Sequence, residues 1–430
     1  MRILILCNDF PPLNSIGARR PASWFRWFKK FGAEPIVITK QWNAEVELPE
    51  DVLKNSSLGK NSTEENEYGK IIRVPVKLIP PEKLFLKYGS EKKKYQRKFL
   101  TLVYKLFSFC SFGFDKHKGI YEAAKEFLQK EKADAILITG EPFVLFRYGY
   151  LLSKQFKIPW IADYRDGWKL NHVNRFNTGL LNRFLRSWEF QFEKKFVRSC
   201  AGITAPDNYL GNALRELHHK KYFAVFNGFD KMQQPVASNS KTLLLTHTGT
   251  LTKGQRVEFL LQAVLELHCE KKIIEGDLHI QFTGLDYYSE QAARVKNFSS
   301  EISAYIKSTV RLPREQALAI NSSSDFLIAL TEENYQAIFA KVYDYLAAQK
   351  PILVLPVDNG LLSNLISETK TGISFSSKDE LKKFLIEQIQ WKKSGNALMQ
   401  ISPDKEKVLF YTRENQARRM VQHIKELTGK

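Results

Sequence analysis

Two segments in the second half of the chain carry residue types suited to holding a diphosphate and a ribose. The first is Thr248-Gly249-Thr250-Leu251-Thr252-Lys253-Gly254-Gln255-Arg256, lying between a β-type run and a helical one. Glycines such as Gly249 let a backbone approach a ligand closely, and a helix N-terminus offers unpaired amides at the positive end of its dipole. Lys253 adds a point charge and Arg256 a planar fork, both suited to a diphosphate. A plain βα turn with solvated cations has the same composition, so the loop alone leaves both readings open. The second segment is Phe339–Ala348, where Lys341 and Asp344 stand three apart on a shared helical face. Lys341 is placed to reach a phosphate and Asp344 to accept two ribose hydroxyls. The plainer alternative is a surface ion pair worth roughly a few tenths of a kcal/mol.

The elements that must position these residues follow from periodicity. With 430 residues the chain exceeds one ordinary hydrophobic core, so two domains are expected. Ile3–Cys7 reads as a buried strand, Asn8–Gly17 as a loop, and Trp24, Trp27, Phe28 and Phe31 as one face of a helix ended by Gly32. Pro35–Thr39 is the next strand, which makes a βαβ opening and implies a parallel sheet. Residues 50–69 are polar and aperiodic, the pattern of a surface loop. Ile71–Val76 is a strand whose Pro75 argues for a sheet edge. A helix at Lys118–Glu131, strands at Asp134–Thr139, Pro159–Asp163 and Gly202–Ala205, and helices at Phe143–Phe156 and about 178–198 complete the first half. Periodicity fails over Asn227–Lys241. The same grammar then restarts with a strand at Leu243–Thr248, a helix at Arg256–Leu267, and strands at Leu278–Thr283, Phe326–Leu330 and Ile352–Leu355. The expected fold class is α/β, with two doubly wound Rossmann-like domains facing across a cleft. The boundaries are 1–225, a linker 226–240, 241–404, and a helix 405–430 packing back on the first domain. Ligands of such sheets bind at the carboxyl ends of the strands.

Composition narrows the partners. A net charge of +19 favours an anionic one: nucleic acid, an anionic membrane face, or a phosphorylated small molecule. No RNP, helix-turn-helix or finger signature is present, so nucleic acid is set aside. Between Lys83 and Lys105 lie eight basic residues and one acidic residue, Glu91, interleaved with Phe99, Leu100, Leu102 and Tyr104. Such a stretch suits an anionic membrane surface, or else a solvated helix whose apolar side packs inward. No uncharged apolar run is long enough to span a bilayer, and Ile3–Leu6 is too short for a signal h-region. Four cysteines without paired spacing argue against a zinc site or disulfide framework. A cytoplasmic protein, peripheral at the inner membrane face, is the expectation.

Several segments, in order along the chain, carry a family resemblance. Asn8-Asp9-Phe10-Pro11-Pro12 with Gly17-Ala18-Arg19-Arg20 is similar to the “(F/Y)-P-P…G-G-x-x-R” loop of family-four retaining glycosyltransferases, which have the GT-B fold. Pro159–Trp168 resembles their “P-x-(I/V)-x-D-(F/Y)-R-D-P-W”, and Ala224–Asp230 their “I-x-N-G-(F/V)-D”. His247-Thr248-Gly249-Thr250-Leu251 with Arg256 looks like “H-T-G-x-L…G-R”, and Lys341–Pro351 like “K-(L/F)-(Y/F)-E-Y-L-A-A-G-K-P”.

The resemblance implies transfer of a sugar, with retention, from a nucleotide donor, expected to be UDP- or GDP-linked, to a saccharide or lipid-linked acceptor; the basic stretch and the membrane surface it suits fit a lipid-linked acceptor in envelope polysaccharide synthesis. It implies no cofactor and no metal. Gly17 matches the loop that approaches the donor, Arg256 and Lys253 the cations facing the diphosphate, and Lys341 a further phosphate partner. Asp344 matches the second carboxylate of a Glu-x7-Glu motif, expected on the ribose. Asp163 and Asp166 match the acceptor side of the cleft, where Arg165 joins them; a salt-bridged structural loop is the competing reading. Two departures stand out: the first glutamate of the motif falls on Gln336, with Glu332 and Glu333 out of register, and Asp344 is a methylene shorter than glutamate. A non-catalytic nucleotide-sugar-binding protein and a nucleotide-sugar epimerase of the same fold are the alternatives.

Overall fold

The computed structural model describes residues 1–429 except 14, 43–58, 172–178, 239, 333–335 and 337. The chain divides into two units: Met1–Phe226 with Glu414–Lys430, and Asn227–Arg413.

In the first unit the chain runs β1 (Arg2–Leu6), α1 (Ile16–Trp27), β2 (Glu34–Lys40), β3 (Ser62–Glu65), β4 (Lys70–Val74), α2 (Pro80–Tyr88), α3 (Lys94–Phe107), α4 (Lys118–Lys130), β5 (Ala135–Gly140), α5 (Val144–Phe156), β6 (Trp160–Tyr164), α6 (Leu180–Val197), β7 (Gly202–Ala205), α7 (Asn208–His218) and β8 (Tyr222–Ala224). The sheet order is β3-β4-β2-β1-β5-β6-β7-β8. Every pairing is parallel except that of β3 with β4. Continuous apolar runs such as Ile3–Leu6 are what a strand covered on both faces requires. Period-two alternation divides them: Leu4 and Leu6 pack with residues of α4 and α5, Ile3 and Ile5 with Trp24 and Phe25 of α1 and with Phe28 just past its end. Within 50–69, read as a loop, β3 forms an antiparallel edge, so β4 is not the edge strand and Pro75 lies just past its end. All four β3 residues are exposed, which is why no apolar pattern marked it.

The second unit contains β9 (Leu243–Thr248), α8 (Glu258–Cys269), β10 (Leu278–Thr283), α9 (Ser289–Lys296), β11 (Ile306–Thr309), α10 (Arg314–Ser323), β12 (Phe326–Leu330), α11 (Ala340–Ala348), β13 (Ile352–Leu355), α12 (Leu361–Thr369), β14 (Gly372–Ser374), α13 (Lys378–Ser394) and α14 (Lys405–Phe410). Its all-parallel sheet has the order β11-β10-β9-β12-β13-β14, the doubly wound Rossmann arrangement. The segment after Asn227 is packed rather than free. Gln233 donates its amide to Ala347 O at 2.7 Å, and Val236 to Ser322 O at 2.9 Å, within this unit. The terminal helix expected from 405 is two helices. The chain breaks at Tyr411-Thr412, where Arg413 N bonds Phe229 O at 2.7 Å, and α15 (Arg413–Thr428) follows. From Glu414 onward it belongs to the first unit, burying Ala417, Met420, Val421 and Ile424 in the core that holds Ile3 and Ile5.

Candidate functional site

In each sheet the strand order reverses beside the first strand: between β1 and β5, and between β9 and β12. Loops leaving the carboxyl ends there part in opposite directions and leave a crevice. In the second unit these loops are Gly249–Gly254 and the residues after Leu330.

Gly249 has φ +94°, a conformation costly for any side chain, and a Cβ there would stand 3.3 Å from Lys341 Cε. Lys341, in the first turn of α11, crosses to this loop. Its Nζ donates to Thr250 O at 3.0 Å and to His247 Nε2 at 2.9 Å. His247 is fully buried, and its Nδ1 donates to Ile328 O at 3.0 Å, which fixes the neutral tautomer with its lone pair toward Lys341. Burial, then the Lys341 charge, holds His247 well below the usual imidazole range. Burial pushes Lys341 down to about 7, opposed by the Glu332 carboxylate. Two of the three ammonium protons are thus engaged by the protein.

Arg256 stands at the foot of the same loop. Its amide bonds Thr331 O at 3.1 Å and its Nη2 bonds Thr331 Oγ1 at 2.8 Å. Its buried Nε has no hydrogen-bond partner among the described residues, a donor in want of an acceptor. Glu332 accepts a bond from Thr252 Oγ1 and bridges to Gln255. Lys253 is exposed on the loop. Arg294, from α9, takes the carbonyls of Thr252 and Lys253, each at 3.3 Å, and of Gln255 at 2.8 Å, and pairs with Glu258 at 2.5 Å. With three of its carbonyls drawn toward one guanidinium, the loop has a fixed course.

Lys341 and Asp344 do not pair as neighbours. α11 is buried from Val342 through Ala348, and the two side chains leave it for different partners. Asp344 accepts from Arg314 Nη2 at 3.2 Å; Arg314 Nη1 lies 2.8 Å from Asp230, which also meets Arg413 at 2.9 Å. The Gln336 amide lies against Gly360, where a Cβ would fall 2.6 Å from its Cδ. The amides of Gly360, Leu362 and Ser363, at the start of α12, are taken by Asp358. Glu333 lies outside the described residues.

In the first unit the helix begins at Ile16, so Gly17 belongs to its first turn rather than to the loop expected there. A Cβ on Gly17 would fall 1.7 Å from Arg165 Nη1 and 2.4 Å from Asp9 Oδ2, so glycine is what lets these groups approach. Ser15 caps the helix, accepting from Ala18 N at 3.0 Å and donating to Asp9 at 3.0 Å. Arg165 Nε bonds Gly140 O at 3.0 Å, tying β6 to β5. Asp163 is 0% exposed. It accepts from Arg20 Nη2 at 2.7 Å and Thr204 Oγ1 at 2.6 Å, while Arg20 also reaches Val225 O. A carboxylate so enclosed locks α1 to β6 and β7 and has no open face for an acceptor. Asp166, by contrast, is exposed. Burial and then the Asp166 charge raise the Glu141 carboxyl above its usual range.

Neither a family model nor a curated protein sequence matches the chain. Solved structures do. Sucrose-phosphate synthase from Thermosynechococcus elongatus is similar over 100% of this chain and 99% of its own, at 13% identity and a TM-score of 0.65. An α,α-trehalose 6-phosphate synthase from Burkholderia multivorans covers 100% and 99%, at 10% identity and TM-score 0.56. The pneumococcal O-GlcNAc transferase GtfA, in complex with UDP and GlcNAc, covers 100% and 99%, at 12% and 0.51. The fold is GT-B.

Identities this low establish the fold and nothing finer. Within the GT-B chain, the loop of Gly249, Arg256 and Lys341 stands at one switch point and Gly17 with Arg165 at the other. His247, quoted only as part of a motif, proves to be the anchor of Lys341; a histidine at the end of a buried strand was the available signal. Arg294 and Arg314 carried no signal, because both act across the fold from elements far along the sequence. Among the described residues no group of three or more His, Cys, Asp or Glu side chains is placed to hold a metal ion, and no helix is long and apolar enough to cross a membrane.

Proposed function

We propose that this chain is a retaining glycosyltransferase of the family-four type, taking a hexose from a UDP- or GDP-linked donor bound at the β9/β12 switch point. The observation that carries the reading is Lys341: a half-buried amine held by His247 and Thr250 over a side-chain-free Gly249, on the loop that leads to Arg256, whose buried Nε has no hydrogen-bond partner among the described residues. Cleaving a glycosyl–diphosphate bond places negative charge on the leaving phosphate. Fixed cations and loop amides aimed at that phosphate stabilise the transition state without reorganising. Arg256, Lys341 and Lys253 supply this charge in the proposal, so the reaction runs without a metal. The departing phosphate itself assists deprotonation of an acceptor attacking from the same face, and no enzyme nucleophile is assigned. Asp344, held by Arg314, receives the ribose hydroxyls. Asp166 and Arg165 orient a saccharide or lipid-linked acceptor of envelope polysaccharide synthesis, and Asp163 acts only through the position of Arg20. The likeness to a transferase solved with UDP and GlcNAc supports a nucleotide-sugar donor.

The test is a melting-temperature screen over UDP- and GDP-sugars, followed by transfer assays with the stabilising donor. Arg256→Ala and Lys341→Ala each lower turnover by about 100-fold or more, the scale of losing one leaving-group contact. Binding without turnover of any kind identifies a non-catalytic protein instead, and donor interconversion without an acceptor an epimerase.

A further inference from the structure

The proposed donor chemistry leaves Lys40, at the carboxyl end of β2, without a role. Alternation puts Lys40 on the strand face of Ile36 and Ile38, which share a core with Ile120, Ala123 and Ala124 of α4. Lys40 is 3% exposed, and among the described residues its amine has neither a hydrogen bond nor an ion pair. A buried amine without a partner is costly, and one that persists calls for an acceptor. Four charged groups act on it: Lys116, Glu82, Asp115 and Asp9. The three acids are already spent. Glu82 accepts from Lys116 Nζ at 2.5 Å and Ile79 N at 2.9 Å, and Asp115 from His117 N at 2.8 Å and Tyr148 Oη at 2.6 Å. Asp9 accepts from Asn8 Nδ2 at 2.6 Å and Ser15 Oγ at 3.0 Å.

The bases are not spent. His117, on which the Lys40 charge acts, is 7% exposed, and its buried Nδ1 has no hydrogen-bond partner among the described residues. α4 starts at the next residue, and the His117 side chain at its N-cap accepts none of its first amides. The positive end of the helix dipole thus adds to two open bases. Burial, then the Lys116 charge, pushes Lys40 down to about 7, and burial with the Lys40 and Lys116 charges holds His117 well below the usual imidazole range. We propose that Lys40 and His117, at the carboxyl end of β2, form a binding site for a phosphate group. The anion favours the ammonium form of Lys40, which donates to its oxygens, and the neutral imidazole donates one N–H. A cation is refused, because Lys40 and Lys116 repel it and the acids are engaged. Ligands of such sheets bind at this end of the strands. The phosphate arrives either as the free ion or on a phosphorylated sugar. The inference rests on the first unit alone and not on the donor chemistry proposed above.

Full-length protein is titrated calorimetrically at neutral pH with inorganic phosphate and, separately, with glucose 6-phosphate, chloride holding the ionic strength constant. Lys341→Gln is titrated alongside, because it weakens the other anion site. The expected result is saturable binding of one or both ligands that Lys341→Gln leaves in place and Lys40→Met weakens about tenfold or more, the scale of one charged hydrogen bond. Lys40→Met removes an unpaired buried charge and keeps the apolar stem, so its melting temperature holds or rises. His117→Gln gives a second reading, with a loss of about fivefold. Tighter binding of glucose 6-phosphate assigns the site to a phosphorylated sugar, and the reverse order to the free ion. No saturable binding of either, binding that Lys40→Met and His117→Gln leave unchanged, or binding abolished by Lys341→Gln would each overturn the proposal. None of these arms measures transfer from a nucleotide sugar, so the two readings fail separately.

Discussion

Lys341 is the residue on which the proposed donor site turns, and its titration gives that proposal a signature. Burial sets it at about 7, far below an ordinary lysine, so in the empty protein near neutral pH it is only partly charged. A nucleotide sugar carries a diphosphate diester that keeps its charge across this range. Placed beside the amine it favours the ammonium, which raises the lysine pKa in the complex, and binding takes up a proton. Affinity is then flat below about pH 7 and falls as pH rises above it, by up to tenfold per unit until the complex titrates. Calorimetric titration of the donor at several pH values checks this; Lys341→Gln weakens binding and flattens the profile. A wild-type affinity constant from pH 7 to 9 would place the phosphate elsewhere. His247 adds nothing to the profile, because it stays neutral throughout.

At the scale of elements, the site is a strand end, a loop and the first turn of a helix from elsewhere in the unit. β9 delivers Gly249 in a left-handed conformation, and α11 delivers Lys341 against it. Gly249→Ala places a methyl in that conformation at a cost of about 1–2 kcal/mol. It also presses the methyl on Lys341 Cε. Donor affinity is expected to fall about tenfold with a modest drop in melting temperature, measured by calorimetry and thermal melting on one preparation. Unchanged affinity would mean that the loop does not touch the ligand. The strands bearing this machinery were legible in sequence because buried parallel strands are short continuous apolar runs. β3, β8, β11 and β14 were not: they are three or four residues long, β3 exposed throughout and the others in part, and neighbouring strands define them rather than their own composition. Lys341 and Asp344 share a helical face in any α-helix. Which partners lie beyond that face is a property of α10 and β9.

For the whole molecule, the chain returns at Glu414 to complete a unit it left at Phe226. Ala417, Met420, Val421 and Ile424 are at most 2% exposed in a core shared with Trp24, Phe28 and Val225. Deleting 414–430 removes burial worth on the order of 5 kcal/mol from the first unit. The second unit keeps its own core around Leu245, Ile280 and Ile328. Calorimetry of the truncated protein is expected to show a first-unit transition moved to lower temperature, while a nucleotide sugar still raises the other transition. A single unchanged transition would contradict the division.

The sequence by itself determined the alternation of strands and helices, the doubly wound class and one loop, Thr248–Arg256, that carries glycines and cations. Those are local or periodic properties, written in neighbouring residues and in the 2.0 and 3.6 repeats. Tertiary structure decided which charges face a crevice and which are spent inside the fold. Asp163 and Asp166 stand three residues apart in one motif, yet one is sealed against Arg20 and Thr204 while the other is exposed. Arg294 and Arg314 govern the site from distant helices. Side-chain charge is encoded by residue type. Its burial and its partner are set by elements many tens of residues away, which no local pattern records.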